Sequence, residues 1–134
     1  SGEDGADTLT GTDDADRMFG RGGDDVIAAL GGDDTVEGGA GDDSVDAGDG
    51  ADDVEAGEGE DTLIGGSGDD TLSGGAGADL LQGGDGDDRL FTGGAAQGTE
   101  IAEGGAGNDR ITGTGGAERL DGGAGAQTSQ SAGV

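Results

Sequence analysis

Ten aspartates stand nine residues apart: Asp7, Asp16, Asp25, Asp34, Asp43, Asp52, Asp61, Asp70, Asp79 and Asp88. Two places after each comes one apolar residue: Leu9, Met18, Ile27, Val36, Val45, Val54, Leu63, Leu72, Leu81 and Leu90. Carboxylates in such numbers do one of two kinds of chemistry. They move protons, or they supply hard oxygen ligands to a divalent cation. Proton transfer needs two carboxyls whose surroundings push their pKa values apart, and a repeat supplies one environment many times over. No His, Cys, Lys or Tyr is present, and Ser44, Ser67 and Ser73 have no base beside them. The spacing therefore points away from catalysis and towards cation ligation.

The aspartates belong to a nine-residue unit that must position them. Gly38 to Asp46 reads GGAGDDSVD, and the frame recurs in GGSGDDTLS at Gly65, GGAGADLLQ at Gly74, GGDGDDRLF at Gly83 and GGAGNDRIT at Gly104. Counting back from the apolar residue, ten units run without a gap from Gly2 to Phe91. They start at Gly2, Gly11, Gly20, Ala29, Gly38, Ala47, Ala56, Gly65, Gly74 and Gly83. Early copies are looser: Glu3, Thr12, Arg21 and Leu30 fill the second place, and Asp14 replaces the third glycine of the second unit. Repeated glycines let a chain enter left-handed conformations and turn its carbonyls inward. The segment that follows alternates as a strand does, with its apolar side chain on one face.

This unit resembles the RTX nonapeptide of secreted bacterial proteins, a calcium-binding parallel β-helix repeat. The resemblance spans about nine-tenths of the chain and rests on an uninterrupted array rather than a lone motif. It implies an all-β fold, a right-handed parallel β-roll with two nine-residue repeats per turn. The first six residues of each unit would turn and bind calcium, and the last three would form a short strand. Units two apart then lie one above the other. Asp7, Asp25, Asp43, Asp61 and Asp79 line one edge, and Asp16, Asp34, Asp52, Asp70 and Asp88 the other. Rungs ~4.8 Å apart are about twice a calcium–oxygen distance, so one ion can touch carboxylates of both. Turn carbonyls, such as those of Gly38, Gly39, Gly41, Gly65, Gly66, Gly68, Gly74, Gly75, Gly77, Gly83, Gly84 and Gly86, would fill its shell. Five aspartates per edge leave room for roughly eight calcium ions. Magnesium is a poor substitute, because it demands a small octahedral shell and sheds water reluctantly.

Composition agrees. The 134 residues include 37 glycines and two aromatics, Phe19 and Phe91, and the net charge is −27. Acidic, glycine-rich sequence without a period would be disordered. One apolar residue in nine makes too thin a core to offset the entropy of ordering the backbone, so bound ions must contribute. Roughly eight calcium ions would bring the charge from −27 to about −11. Nucleic acid and anionic membranes would be repelled, and no apolar run approaches the length of a membrane span. Without cysteine there is no disulfide.

The register breaks at TGGAAQGTEIAE, Thr92 to Glu103, which reads as a unit with about three extra residues and a bulged turn. Either Ile101 or Ala102 is its inward residue. The repeat resumes at Gly104 with Asp109 and Ile111, then at Gly113 with Glu118 and Leu120. The unit from Gly122 carries Gln127 and Ser129 in those places, so the regular stack is expected to span 1–121, with 122–134 a degenerate last repeat and tail. Asp24, Asp33, Asp42, Asp69 and Asp87, beside the ladder, read as solvated charge that concentrates cations. Phe19 and Phe91 share the ninth place of even-numbered units and should lie outward on one flank. The third place (Asp4, Asp13, Ala40, Asp49, Glu58, Ser67, Ala76, Asp85) carries no threonine ladder, which argues against ice binding.

The expectation is a calcium-binding module that is disordered without calcium and folds on binding it outside the cell. The resemblance implies a non-catalytic segment of a larger enzyme, toxin or adhesin exported by type I secretion. Flanking domains of that protein, or end-to-end self-association into a stalk or surface fibre, would be its macromolecular contacts. A glycan-binding sheet would need rows of outward aromatics, and two phenylalanines do not make one.

Overall fold

The computed structural model describes residues 1–94, 98–114, 117–125 and 128–131. The described strands are β1 (Thr8–Thr10), β2 (Arg17–Gly22), β3 (Val26–Ala28), β4 (Thr35–Ala40), β5 (Ser44–Asp49), β6 (Asp53–Glu58), β7 (Thr62–Ser67), β8 (Thr71–Ala76), β9 (Leu80–Asp85), β10 (Arg89–Gly93), β11 (Thr99–Ala106), β12 (Arg110–Gly113), β13 (Ala117–Asp121) and β14 (Thr128–Ser131). Odd strands form one seven-stranded sheet and even strands the other, and neighbours within each sheet are parallel. Val45 pairs with Leu63 and Val36 with Val54, an offset of two units. The chain is a parallel β-roll with two nine-residue repeats per turn.

The core follows from the alternation. In β5, Val45 and Ala47 are buried while Ser44 and Asp46 are exposed. Ile27, Val45, Leu63 and Leu81 from one sheet meet Val36, Val54, Leu72 and Leu90 from the other, and the first-place alanines Ala29, Ala47 and Ala56 are buried with them. The regular strands are six residues long rather than three. They continue from the last three residues of a unit into the first three of the next, because the glycines there are paired as well: Gly48 lies opposite Gly66.

The three glycines of a unit answer to two different needs. Gly39 (φ 119°) and Gly41 (φ 123°), in the second and fourth places, are left-handed. A side chain there strains the backbone. Two early units nonetheless carry Arg21 (φ 85°) and Leu30 (φ 83°) in the second place. The first place matters for room, and it holds only glycine or alanine in the ten regular units. A Cβ on Gly38 would overlap Asp43 Oδ2 and sit 2.7 Å from the Ala56 carbonyl oxygen.

Past Phe91 the roll absorbs its extra residues without losing register. Gly93 still pairs with Gly75, but Ala102 pairs with Leu81 and Ile101 with Leu80. The inward residue is therefore Ala102, fully buried, and the three extra residues fall between Gly93, which pairs with Gly75, and Ile101, which pairs with Leu80. Ile111 then pairs with Leu90, and Leu120 with Ala102. Strand pairing continues past Asp121, with Ser129 of β14 opposite Ile111. Gln127 lies outside the described residues.

Candidate metal centre

Each ladder aspartate sits where a turn re-enters a strand, and each is held by the rung before it. The backbone N–H of Asp25 donates to Asp43 Oδ1 (2.8 Å), that of Asp43 to Asp61 Oδ1 (2.7 Å) and that of Asp61 to Asp79 Oδ1 (3.0 Å). On the other edge Asp34, Asp52, Asp70 and Asp88 donate in the same way to Asp52, Asp70, Asp88 and Asp109 at 2.8–3.0 Å. The first rung differs. Asp7 and Asp16 are half-buried, and their Oδ2 atoms accept the N–H groups of Glu3 and Thr12 at 2.6 Å.

From the second rung on, one oxygen of each carboxylate is left over. Asp25, Asp34, Asp43, Asp52, Asp61, Asp70, Asp79, Asp88 and Asp109 are at most 2% exposed, and their buried Oδ2 atoms have no hydrogen-bond partner. A buried ionised oxygen without a partner is costly, and a cation is what relieves it. Among the described residues no three acidic side chains cluster into one metal site. The remaining ligands must then be backbone carbonyls, and the turns offer them. The carbonyl oxygens of Gly41, Gly50 and Gly59 face the fourth-place glycines of the next rung, Gly59, Gly68 and Gly77. They accept no backbone N–H among the described residues. Carboxylate oxygens and backbone carbonyls are the donor types calcium takes.

The same crowding acts on the protons. Burial pushes the Asp70 carboxyl up to about 7, opposed by its backbone hydrogen bond and reinforced by the charges of Asp88 and Asp52. Asp61 and Asp88 are pushed up to about 6 by burial and by the neighbouring carboxylates of their ladders. Asp43, Asp52 and Asp79 are raised for the same reasons.

The roll thus brings the ten regular aspartates into two edges, with Asp109 continuing the even one. Glu118 pairs with Glu100 on the odd edge. Sequence reasoning missed Glu100, which takes the ladder place above Asp79 and is fully buried. Its signal was the acid two places before Ala102, masked by the broken count. The fifth-place acids are exposed, yet they form a ladder of their own. Asp24 Oδ1 accepts the N–H of Asp42 (3.0 Å), and Asp42 Oδ1 that of Glu60 (2.8 Å). This ladder points up the stack, opposite to the inner one.

The RTX calcium-binding nonapeptide repeat matches the chain four times, over residues 1–36, 29–63, 64–96 and 95–126. The chain belongs to that family. No curated protein matches it. An RTX repeat is a calcium-binding structural module, and calcium is the ion whose chemistry the leftover Oδ2 atoms and turn carbonyls fit.

Proposed function

We propose that this RTX segment is a calcium-triggered folding module of a larger exported protein. The buried, unpartnered Oδ2 on each rung from the second onward carries the reading. Asp25, Asp34, Asp43, Asp52, Asp61, Asp70, Asp79, Asp88 and Asp109 would each give that oxygen to an ion, and fourth-place carbonyls such as those of Gly41, Gly50 and Gly59 would complete the shell. Asp7, Asp16 and Glu118 would extend the edges, and residues 1–121 would be the ion-binding part. Roughly eight ions would lie along the regular edges. Each neutralises repulsion that the chain alone cannot relieve, so the ions and the fold stand or fall together. Scarce calcium inside the cell keeps such a chain unfolded for type I export, and millimolar calcium outside folds it.

Circular dichroism during a calcium titration tests this, with magnesium and a chelator as controls. Cooperative gain of β signal near ~0.1–1 mM calcium, reversed by chelator and absent with magnesium, is expected. A β-rich spectrum in chelator would overturn it.

A second reading, end-to-end stacking into a stalk, is favoured by one observation. β1 and β2 are each the outermost strand of their sheet, and no described strand covers their free edges. Electron microscopy at millimolar calcium would show fibres if it is right and short monomers if it is wrong.

A further inference from the structure

A regular turn leaves one buried oxygen unpartnered, the aspartate Oδ2. The irregular turn leaves three: Thr92 Oγ1, Glu100 Oε1 and Glu100 Oε2. Both residues are fully buried. Thr92 stands in the first place of its unit, where the ten regular units carry glycine or alanine. Its carbonyl oxygen lies 2.7 Å from the Cβ position of Gly74, and Asp79 Oδ2 crowds that same point. The leftover oxygen of Asp79 is therefore beside the Thr92 backbone. Glu100 stands one rung above Asp79, because Ile101 pairs with Leu80. No described backbone N–H claims either Glu100 oxygen, unlike the Oδ1 atoms of the regular ladder.

We infer that this turn is a calcium site with a ligand set of its own: both carboxylate oxygens of Glu100, the Thr92 hydroxyl and Asp79 Oδ2. The inference rests on the calcium reading above and extends it to a place the nonapeptide pattern does not mark. Calcium accepts bidentate carboxylates and neutral oxygens in a flexible shell, which this set supplies and octahedral magnesium does not favour. The ion also has a mechanical role. It bridges β9 and β11 where the chain length between rungs changes, and so couples the strands beyond the insertion to the regular stack.

Calorimetric titration with calcium, combined with amide hydrogen exchange, tests this on the whole chain. Glu100→Gln keeps the shape and removes the charge. It is expected to bind about one ion fewer than the parent, with amides of β11 to β13 losing protection at calcium levels where β4 to β9 stay protected. Thr92→Ala, which removes only a hydroxyl, should weaken the same ion about tenfold without unfolding the roll. Glu103→Gln, on the outer face against Gln82, should do neither. A purely structural role for Glu100 would leave the ion count unchanged. Equal counts and equal protection in Glu100→Gln and the parent would overturn the inference while the calcium reading stood. A parent chain that binds no calcium would overturn the calcium reading itself, and this site with it.

Discussion

Asp42 and Asp43 are adjacent, carry the same side chain, and each accepts one N–H from a neighbouring rung. Asp43 turns inward and keeps one oxygen buried and unpaired, whereas Asp42 faces water. The contrast repeats up the stack as two ladders of opposite direction, one inside and one outside. Neither the acid nor its hydrogen bond makes a ligand. What does is burial beneath the first place of the unit, glycine or alanine, which leaves an oxygen that water cannot reach. The outer ladder ties rungs together and adds field.

The sharpest way to break that contrast is within one rung. Asp70→Ala should remove the ions on both sides of it, about 5 kcal/mol at saturating calcium, and it strands the Asp52 N–H. Asp69→Ala, one residue away, loses an exposed hydrogen bond to the Asp87 N–H and should cost about 0.5–1 kcal/mol. Thermal melts in calcium compare the two, and equal losses would end the distinction between ladders.

Acid should separate the ladders next. In the folded chain Asp61 and Asp88 titrate at about 6 and Asp70 at about 7, against an ordinary 3.8. The folded state therefore binds these protons more tightly than the unfolded one. Their contribution is fully present below the ordinary value and is lost as pH rises through the folded values. In chelator, β signal should grow as pH falls from about 7 towards about 4, a proton standing in for the ion on each inner carboxylate. With calcium present the sign reverses, because protons compete for ligand oxygens and the calcium midpoint moves up. A chelated chain that loses β signal on acidification would contradict the buried inner ladder.

The outer ladder has a smaller signature. Changing Asp24, Asp33, Asp42, Asp69 and Asp87 together to Asn keeps a side-chain oxygen for the N–H bonds and removes five exposed charges. Ion stoichiometry should hold while the salt dependence of the calcium midpoint flattens, since screening acts on exposed charge. A drop in stoichiometry would make these residues ligands instead.

Most of this was legible because the period is strict. Nine residues fix which aspartate and which apolar residue turn inward, from Asp25 and Ile27 to Asp88 and Leu90. Three things were not legible. The glycines read as turn, yet the first three residues of a unit pair as strand, since a left-handed φ at Gly48 does not prevent pairing with Gly66. The room that Gly38 leaves for Asp43 Oδ2 exists only once the turn is closed. Glu100 was missed because counting fails across an insertion, and only pairing of Ala102 with Leu81 restores the frame.

The smallest expected effect tests the turn that supports both ladders without touching a carboxylate. Leu30 holds a left-handed φ of 83° and is 47% exposed, so its side chain contributes little burial to offset the strain. Regular units place glycine there, as at Gly39 and Gly48. Relief of a left-handed side chain is worth ~1–3 kcal/mol, and glycine returns ~0.5–1 kcal/mol of that as unfolded-state entropy. Leu30→Gly should therefore stabilise the calcium-loaded roll by about 1 kcal/mol, a rise of a few degrees in Tm with the ion count unchanged. The mirror change, Gly48→Leu, should do the reverse and more, because its Cβ would overlap the Leu30 carbonyl of the rung below. If Leu30→Gly lowered Tm, the leucine would be supplying contacts that outweigh its backbone. The second place would then be chosen for its side chain in early units and for its backbone only in later ones.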